Sequence, residues 1–145
     1  MIGLLQRVKQ SQVQVDGQII AKIDMGLVVF IGIQPQDNEI TTQKLLKRIV
    51  GYRIFEDQAG KMNQSLLQIN GGLLLVPQFT LAADTSKGMR PGFSTAAPPE
   101  LAKKLFCQML EMAKNEIDAV QSGRFGADMQ VHLINDGPAT FYLQV

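Results

Sequence analysis

The chain has 145 residues, of which 46% are hydrophobic and 19% charged, the composition of a soluble globular protein and a length that suits one domain with a real core. Fourteen basic and 13 acidic residues leave a net charge of +1, which argues against coating duplex nucleic acid through a broad basic surface while leaving room for a local grip on a few phosphates. No run approaches the ~20 apolar residues of a membrane span. The N-terminal MIGLLQRVKQ places apolar before basic residues, the reverse of a signal peptide, so a cytoplasmic location is expected.

Residues 2–8 read as a first strand. Val13 and Val15 alternate with polar neighbours ahead of the turn signal Asp16-Gly17, after which residues 18–23 return as the second arm of a hairpin. Asp24-Met25-Gly26 is a further turn, and the β-branched apolar run Leu27 to Ile33 a central strand. A first helix is predicted from about Asn38 to Val50, capped by Asp37 or Asn38, with Ile40, Leu45, Leu46, Ile49 and Val50 on one face. Residues 52–55 suggest a short strand, and Asp57 to Gly60 a turn. Gly71-Gly72 precede a second apolar run, Leu73 to Leu81; Pro77 inside it requires a bulge, a strand end or an edge, because proline cannot donate to a ladder. Residues 84–97 lack periodicity and form a loop.

The second helix begins at Pro98-Pro99-Glu100 and runs to about Asn115, with Leu101, Leu105, Met109 and Met112 as its apolar stripe. The single cysteine, Cys107, rules out an intrachain disulfide and falls within that pattern as a buried structural thiol. Residues 128–134 alternate as a half-exposed strand, Asn135-Asp136-Gly137-Pro138 is a turn, and Ala139 to Val145 is a closing strand. No repeat, low-complexity segment or linker divides the chain. The sum is one α+β domain over residues 1–145, mainly antiparallel sheet, with about seven strands and two main helices.

Absences constrain the chemistry. One histidine, His132, and one cysteine do not make a zinc site of the usual His/Cys type. His132 sits on a predicted strand without a nucleophile motif nearby, which leaves a Ser-His-Asp triad unsupported. No P-loop, no Gly-x-Gly-x-x-Gly after a strand and no evident carboxylate cluster for magnesium is present. No metal and no cofactor are therefore expected. Hydroxyls, amides and backbone groups remain, and three segments offer them. Val76 to Leu81 sets Pro77, Gln78, Phe79 and Thr80 at the end of a buried strand, where irregular backbone can aim N–H groups outward as an oxyanion hole. Thr85 to Pro91 is a glycine-containing loop with Lys87 and Arg90. Asn135 to Phe141 contains Gly137-Pro138, an X-Pro bond tolerant of cis geometry. Each alone also has a bland reading: a core strand, a solvated loop, an ordinary trans turn.

In order and spacing these segments resemble the D-aminoacyl-tRNA deacylase family, of the D-tyrosyl-tRNA deacylase type. The resemblance covers nearly the whole chain: Leu5-Gln6-Arg7-Val8, Gly51-Tyr52-Arg53-Ile54-Phe55, Gly60-Lys61-Met62-Asn63, Gln78-Phe79-Thr80-Leu81, Gly88-Met89-Arg90-Pro91, Gly123 to Val131 and Asn135-Asp136-Gly137-Pro138. It implies a barrel-like sheet, a homodimer with the active site at the subunit interface, and hydrolysis of the ester at the 3′ end of aminoacyl-tRNA. It implies that Gly137-Pro138 is cis and enters the partner's pocket, where its carbonyls meet the substrate's α-amino group and exclude an L side chain. Glycine escapes such a filter, so glycyl-tRNA mischarged on the alanine tRNA is an implied second substrate. Gln78, Phe79 and Thr80 match the catalytic segment, and Phe125, Met129 and Arg7 the substrate pocket, with Arg7 also a support for the Gly-Pro step; Lys87 and Arg90 are candidate phosphate contacts.

One departure matters. The family usually has serine where this chain has Pro77, so a mechanism needing that hydroxyl is in doubt here. Two mechanisms stay open. Thr80 forms an acyl-enzyme, which needs an activating base; or the Phe79 N–H, with that of Thr80, stabilises the oxyanion while the ribose 2′-hydroxyl helps activate water. The competing class is a non-enzymatic nucleic-acid-binding dimer, against which stand the near-neutral charge and the lack of an evident aromatic stacking platform.

Overall fold

In the computed structural model, which describes residues 1–145, the elements in chain order are β1 (Ile2–Val15), β2 (Gln18–Ile23), β3 (Gly26–Gly32), α1 (Glu39–Gly51), β4 (Phe55–Glu56), β5 (Met62–Gln64), α2 (Leu66–Ile69), β6 (Gly72–Pro77), a 3-10 turn (Phe79–Ala82), α3 (Pro99–Lys114), β7 (Val120–Ser122) and β8 (Gln130–Gln144). The segments 2–8 and 13–15 are thus one strand of 14 residues, which organises the sheet. Along one edge β1 pairs antiparallel with β3 and then with β2; along the other it pairs antiparallel with β8. β3 continues in parallel into β6, and β6 in parallel into β7. β2 folds back against β6 and β7, so the mixed sheet curls into a nearly closed barrel. The antiparallel pairs predominate, and the parallel ones form a flank.

That flank explains the two continuous apolar runs. Leu27, Val29 and Ile31 of β3, with Leu73 and Leu75 of β6, face a core of 22 buried residues shared with α1 and α3. The alternate positions Val28, Leu74 and Val76 face a second core of seven, which includes Val8, Val13, Ala21 and Ile23. Strands covered on both faces read as unbroken hydrophobic runs. The second run nevertheless ends early: β6 stops at Pro77, and Phe79–Ala82 form the 3-10 turn rather than more strand.

Asn38 caps α1. Its Oδ1 accepts from the N–H groups of Ile40 (2.9 Å) and Thr41 (3.2 Å), and Thr41 Oγ1 accepts from the Asn38 N–H, the reciprocal pattern of a capping box. The buried stripe is Thr42, Leu45, Leu46, Ile49 and Val50. Ile40, expected on it, is 76% exposed, because positions 40, 44 and 47 share the opposite face with Lys44 and Lys47. In α3 the buried residues are Ala102, Leu105, Phe106, Met109 and Ala113. The helix is rotated from the expected stripe: Leu101 and Met112 are only half-buried, and Cys107 is exposed, contrary to its reading as a core thiol. Two alanines contribute little to a hydrophobic pattern, which therefore overweights Leu101 and Met112. The four-residue α2 and three-residue β7 are shorter than any period a pattern can register.

The C-terminal region departs most from expectation. Asn135 to Pro138 do not reverse the chain, because both flanks pair with the same strand, β1. β8 is continuous, and its register jumps from Gln6↔Thr140 to Val8↔Asn135. Four residues, 136 to 139, therefore stand opposite Arg7 alone, as a wide bulge. No helix is long and apolar enough to cross a membrane.

Asp37 has a role other than capping. Its Oδ1 accepts from the Met1 α-ammonium at 2.6 Å and its Oδ2 from the Gln34 N–H at 2.7 Å, and the ammonium also donates to Val145 O at 3.0 Å. The ion pair joins the ends of β1 and β8 to the segment leading into α1, and its two side chains are 0% and 1% exposed. Removing one member of a buried pair leaves the other charge uncompensated. Asp37→Asn is expected to destabilise the fold by about 3 kcal/mol, measured as a lower urea midpoint at unchanged m-value.

Candidate active site

The carboxyl ends of β3 and β6, the segment after β7 and the first turn of α3 enclose a cleft of about 600 Å³, lined mainly by apolar side chains. Ligand sites favour the carboxyl ends of parallel strands, and this volume suits a small organic group. Pro77 terminates β6 opposite Ile31, and the next N–H, that of Gln78, donates to Ile31 O at 2.8 Å. The chain then turns into the 3-10 segment, leaving Phe79 and Thr80 exposed and Gln78 half-buried in the cleft wall. Gln78 Nε2 donates a short hydrogen bond to Thr80 Oγ1. The leading N–H groups of such a turn have no acceptor within it.

Phe79 packs against Phe93, with ring centroids 5.1 Å apart and planes tilted by 56°. Both line the cleft although 59% and 44% exposed. Phe93 was not singled out in the sequence, because it sits in an aperiodic loop; with Phe79 it supplies the exposed aromatic surface that the sequence seemed to lack. The loop bearing Lys87 and Arg90 is closed at its base by two backbone bonds between Asp84 and Gly92, of 2.8 and 2.9 Å. Hydrogen bonds from Ser86 hold the Asp84 carboxyl below its ordinary pKa. Lys87 and Arg90 are exposed and do not line the cleft. On the far side of Phe93, Thr95 Oγ1 donates to Ala82 O at 2.5 Å and Ala97 N–H to Ile33 O at 2.9 Å.

The opposite wall is Phe125 to Met129, hung from β6 by the Gly123 N–H to Leu75 O bond of 2.9 Å. Phe125 rests on Phe106, with centroids 6.5 Å apart. A Cβ on Gly123 would lie 2.7 Å from Met129 Sδ and 3.3 Å from Pro77 Cδ, so only glycine lets the wall close onto the proline ring. The structure thus brings Gln78, Phe79, Phe125 and Met129 to one cleft, with Thr80 beside Gln78.

Arg7, Gly137 and Pro138 lie elsewhere. Arg7 is 6% exposed and lines no part of the cleft. Its Nε donates to Asp136 O at 2.9 Å and lies 3.1 Å from Asp136 Oδ2, and its Nη1 donates to Ile54 O at 2.7 Å. The carbonyl of Ile54 leads into the β4–β5 hairpin. That hairpin is tied by Asp57, whose carboxyl is held below its ordinary pKa by the Asn63 amide first and the Lys61 N–H second. Asn135 Nδ2 donates to Arg7 O at 3.1 Å and to Ala139 O at 3.3 Å, bracing the bulge from inside. A Cβ on residue 137 would run into Asn135 Oδ1, so a side chain there would displace the bracing Asn135 amide. The Gly137–Pro138 bond is cis, and both residues are exposed. Asn135 was read only as part of a turn signal; its bracing role needed the three-dimensional register.

The family model and the sequence relatives agree on one family. The model of the D-Tyr-tRNA(Tyr) deacylase family matches residues 4–144. A protein of Pseudomonas putida named D-aminoacyl-tRNA deacylase is 57% identical over 145 residues, covering 100% of both chains. One of the same name from Alkalilimnicola ehrlichii is 56% identical over 144 residues, covering 99% of this chain and 96% of its own. Among solved structures, the c-Myc DNA Unwinding Element Binding Protein superposes with a TM-score of 0.96 at 35% identity, covering 100% of this chain and 99% of its own.

Lysine at position 7 keeps the charge but not the fork that reaches two carbonyls at once. Arg7→Lys is expected to cost about 2–3 kcal/mol of stability and to speed amide exchange at residues 135–139 and 54–56 more than elsewhere, read by hydrogen–deuterium exchange.

Proposed function

Because the chain belongs to the D-Tyr-tRNA(Tyr) deacylase family, we propose that it hydrolyses the ester joining a D-amino acid to the 3′ end of tRNA, releasing the amino acid and free tRNA. The observation that carries this reading is the apolar cleft bordered by Gln78 and Phe79, where an amide side chain and the start of the 3-10 turn meet a volume fit for an aminoacyl group. In the reaction, water adds to the ester carbonyl carbon. The resulting oxyanion is held by the Phe79 N–H, with that of Thr80. The bond to the ribose 3′-oxygen then breaks, and that oxygen takes a proton. An aminoacyl ester is already activated relative to an amide, so positioning and oxyanion binding account for the rate. The vicinal 2′-hydroxyl assists the water, and Gln78 orients the ester.

Thr80 is not the nucleophile in this reading. A hydroxyl nucleophile must hand its proton to a base, and the side chain bonded to Thr80 Oγ1 is the Gln78 amide, which donates to it. Pro77 fits the same view: the departure from serine removes a hydroxyl that the backbone mechanism does not use.

Discrimination between enantiomers comes from the Gly137–Pro138 step of a second copy in a homodimer. Gly137 and Pro138 are exposed, their bulge is anchored by Arg7, and neither lines the cleft of its own chain. Inserted into a partner's cleft, its carbonyls meet the substrate α-ammonium and occupy the space an L side chain needs. Specificity then arises by exclusion, and glycine, lacking a side chain, passes, so glycyl-tRNA mischarged on the alanine tRNA is a second substrate. Lys87 and Arg90 contact RNA phosphates, and the setting is the cytoplasm.

Purified protein is expected to release D-tyrosine from D-tyrosyl-tRNA while leaving L-tyrosyl-tRNA intact; stable D-tyrosyl-tRNA in the presence of the protein would refute the reading. Thr80→Ala is expected to keep kcat within about tenfold of wild type, since one neutral hydrogen bond contributes only about 1 kcal/mol. Loss of nearly all turnover with binding intact would restore the acyl-enzyme route.

A further inference from the structure

We infer that Lys103 and Arg124 form a second cationic bank of the cleft, opposite the Lys87–Arg90 loop, and that this bank holds phosphates of the single-stranded RNA 3′ end. The inference rests on the deacylase reading and adds contacts that the ester chemistry does not require.

Pro99 and Ala102 of α3 line the cleft, and Phe106 packs on Phe125 of the opposite wall. Lys103 is four residues after Pro99 and three before Phe106, which puts it on the same helical stripe as both. Arg124 directly precedes Phe125. Lys103 thus adjoins the cleft-lining Ala102, and Arg124 the cleft-lining Phe125. Both are exposed, and neither has a carboxylate within 4.0 Å. With Lys87 and Arg90, four exposed cations without a carboxylate partner lie on the helix, wall segment and loop whose neighbouring residues line one cleft, in a chain whose net charge is only +1.

The acids nearby shape the path. Asp128 lines the cleft and Glu100 lies in the first turn of α3, so the mouth is not uniformly positive. A polyanion is repelled from those two points and drawn to the cations on either bank. A strand with its terminal ester in the cleft has its next phosphates at the rim, where the cations stand. The occupant this arrangement suits is a phosphodiester backbone, since a small uncharged ester has no use for charges outside the cleft.

The test compares two substrates and one binding reaction in the full-length protein. Lys103→Glu/Arg124→Glu is expected to lower kcat/KM for D-tyrosyl-tRNA by at least about tenfold and to make its salt dependence shallower by about 1.4 in log–log slope, for two single-strand phosphates at roughly 0.7 each. Hydrolysis of the phosphate-free ester D-tyrosyl-adenosine is expected to stay at the wild-type rate. Lys104→Glu, on an exposed position turned about 100° from Lys103, is the control for net charge and is expected to change neither substrate. Affinity for uncharged tRNA, by fluorescence anisotropy, is expected to weaken about tenfold in the double variant and needs no turnover, so it reads the contacts even if wild type hydrolyses neither ester, an outcome that would count against the deacylase reading alone. Equal losses on both esters, an equal loss from Lys104→Glu, or unchanged affinity for uncharged tRNA would overturn the inference.

Discussion

The rest of the structure turns on one guanidinium. Arg7 sits in the middle of β1, where it pairs with Leu27 of β3 on one side and faces the β8 bulge on the other. A bulge of four residues against one leaves backbone groups without ladder partners, and a buried carbonyl left unpaired is costly. Arg7 and Asn135 supply those partners: Arg7 takes the Asp136 carbonyl and carboxylate, and Asn135 spans the carbonyls of Arg7 and Ala139. The same guanidinium reaches Ile54, so the β4–β5 hairpin and the bulge are set by one side chain. Burying a guanidinium is tolerable only where it is hydrogen-bonded and paired, and Nε and Nη1 meet the Asp136 and Ile54 carbonyls while Asp136 Oδ2 lies 3.1 Å from Nε.

The cleft depends on a different constraint, close packing on the parallel flank. Gly26 and Gly72 open adjacent parallel strands, and a Cβ at residue 26 would collide with the Gly72 backbone. Further along, Gly32 leaves room for the 3-10 turn, since a Cβ there would come within 2.9 Å of the Leu81 side chain. The turn is thereby pressed onto the end of β3, which fixes where Gln78 and Phe79 face. Pro77 belongs to this geometry. As the last residue of β6 it ends the ladder without forfeiting an internal bond, and its ring packs where Gly123 and Met129 meet.

Much of this was legible in the residues, and what was not has identifiable causes. The runs Leu27 to Ile33 and Leu73 to Leu81 declared strands, the second of which ends early at Pro77, and Asp37-Asn38 declared a helix start. Alternation and capping are local, so sequence carries them. The fate of Asn135-Asp136-Gly137-Pro138 is non-local. Asp-Gly is a turn signal wherever it occurs, and only the pairing of both flanks with β1 makes it a bulge. Burial of Cys107 failed for a related reason: a helix can be rotated by a residue when small side chains such as Ala102 and Ala113 face the core. The cluster Gln78, Phe79, Phe125 and Met129 became recognisable through family motifs; Phe93, in an aperiodic loop, and Lys103, on an otherwise ordinary amphipathic helix, carried no such mark.

The register also bears on the proposed filter. Because β1 and β3 are antiparallel, the bulge lies level with Leu27, whereas the cleft begins at Ile31. Four residues of strand separate these levels by about 13 Å, and the step from β8 across β1 to β3 adds about 10 Å sideways. A bulge of four residues, out and back, projects at most about 7 Å. Neither Gly137 nor Pro138 lines the cleft of its own chain. In the proposed insertion into a second copy, the rigidity that Arg7 confers is what the step requires: a filter that excludes an L side chain works only if it does not yield to one.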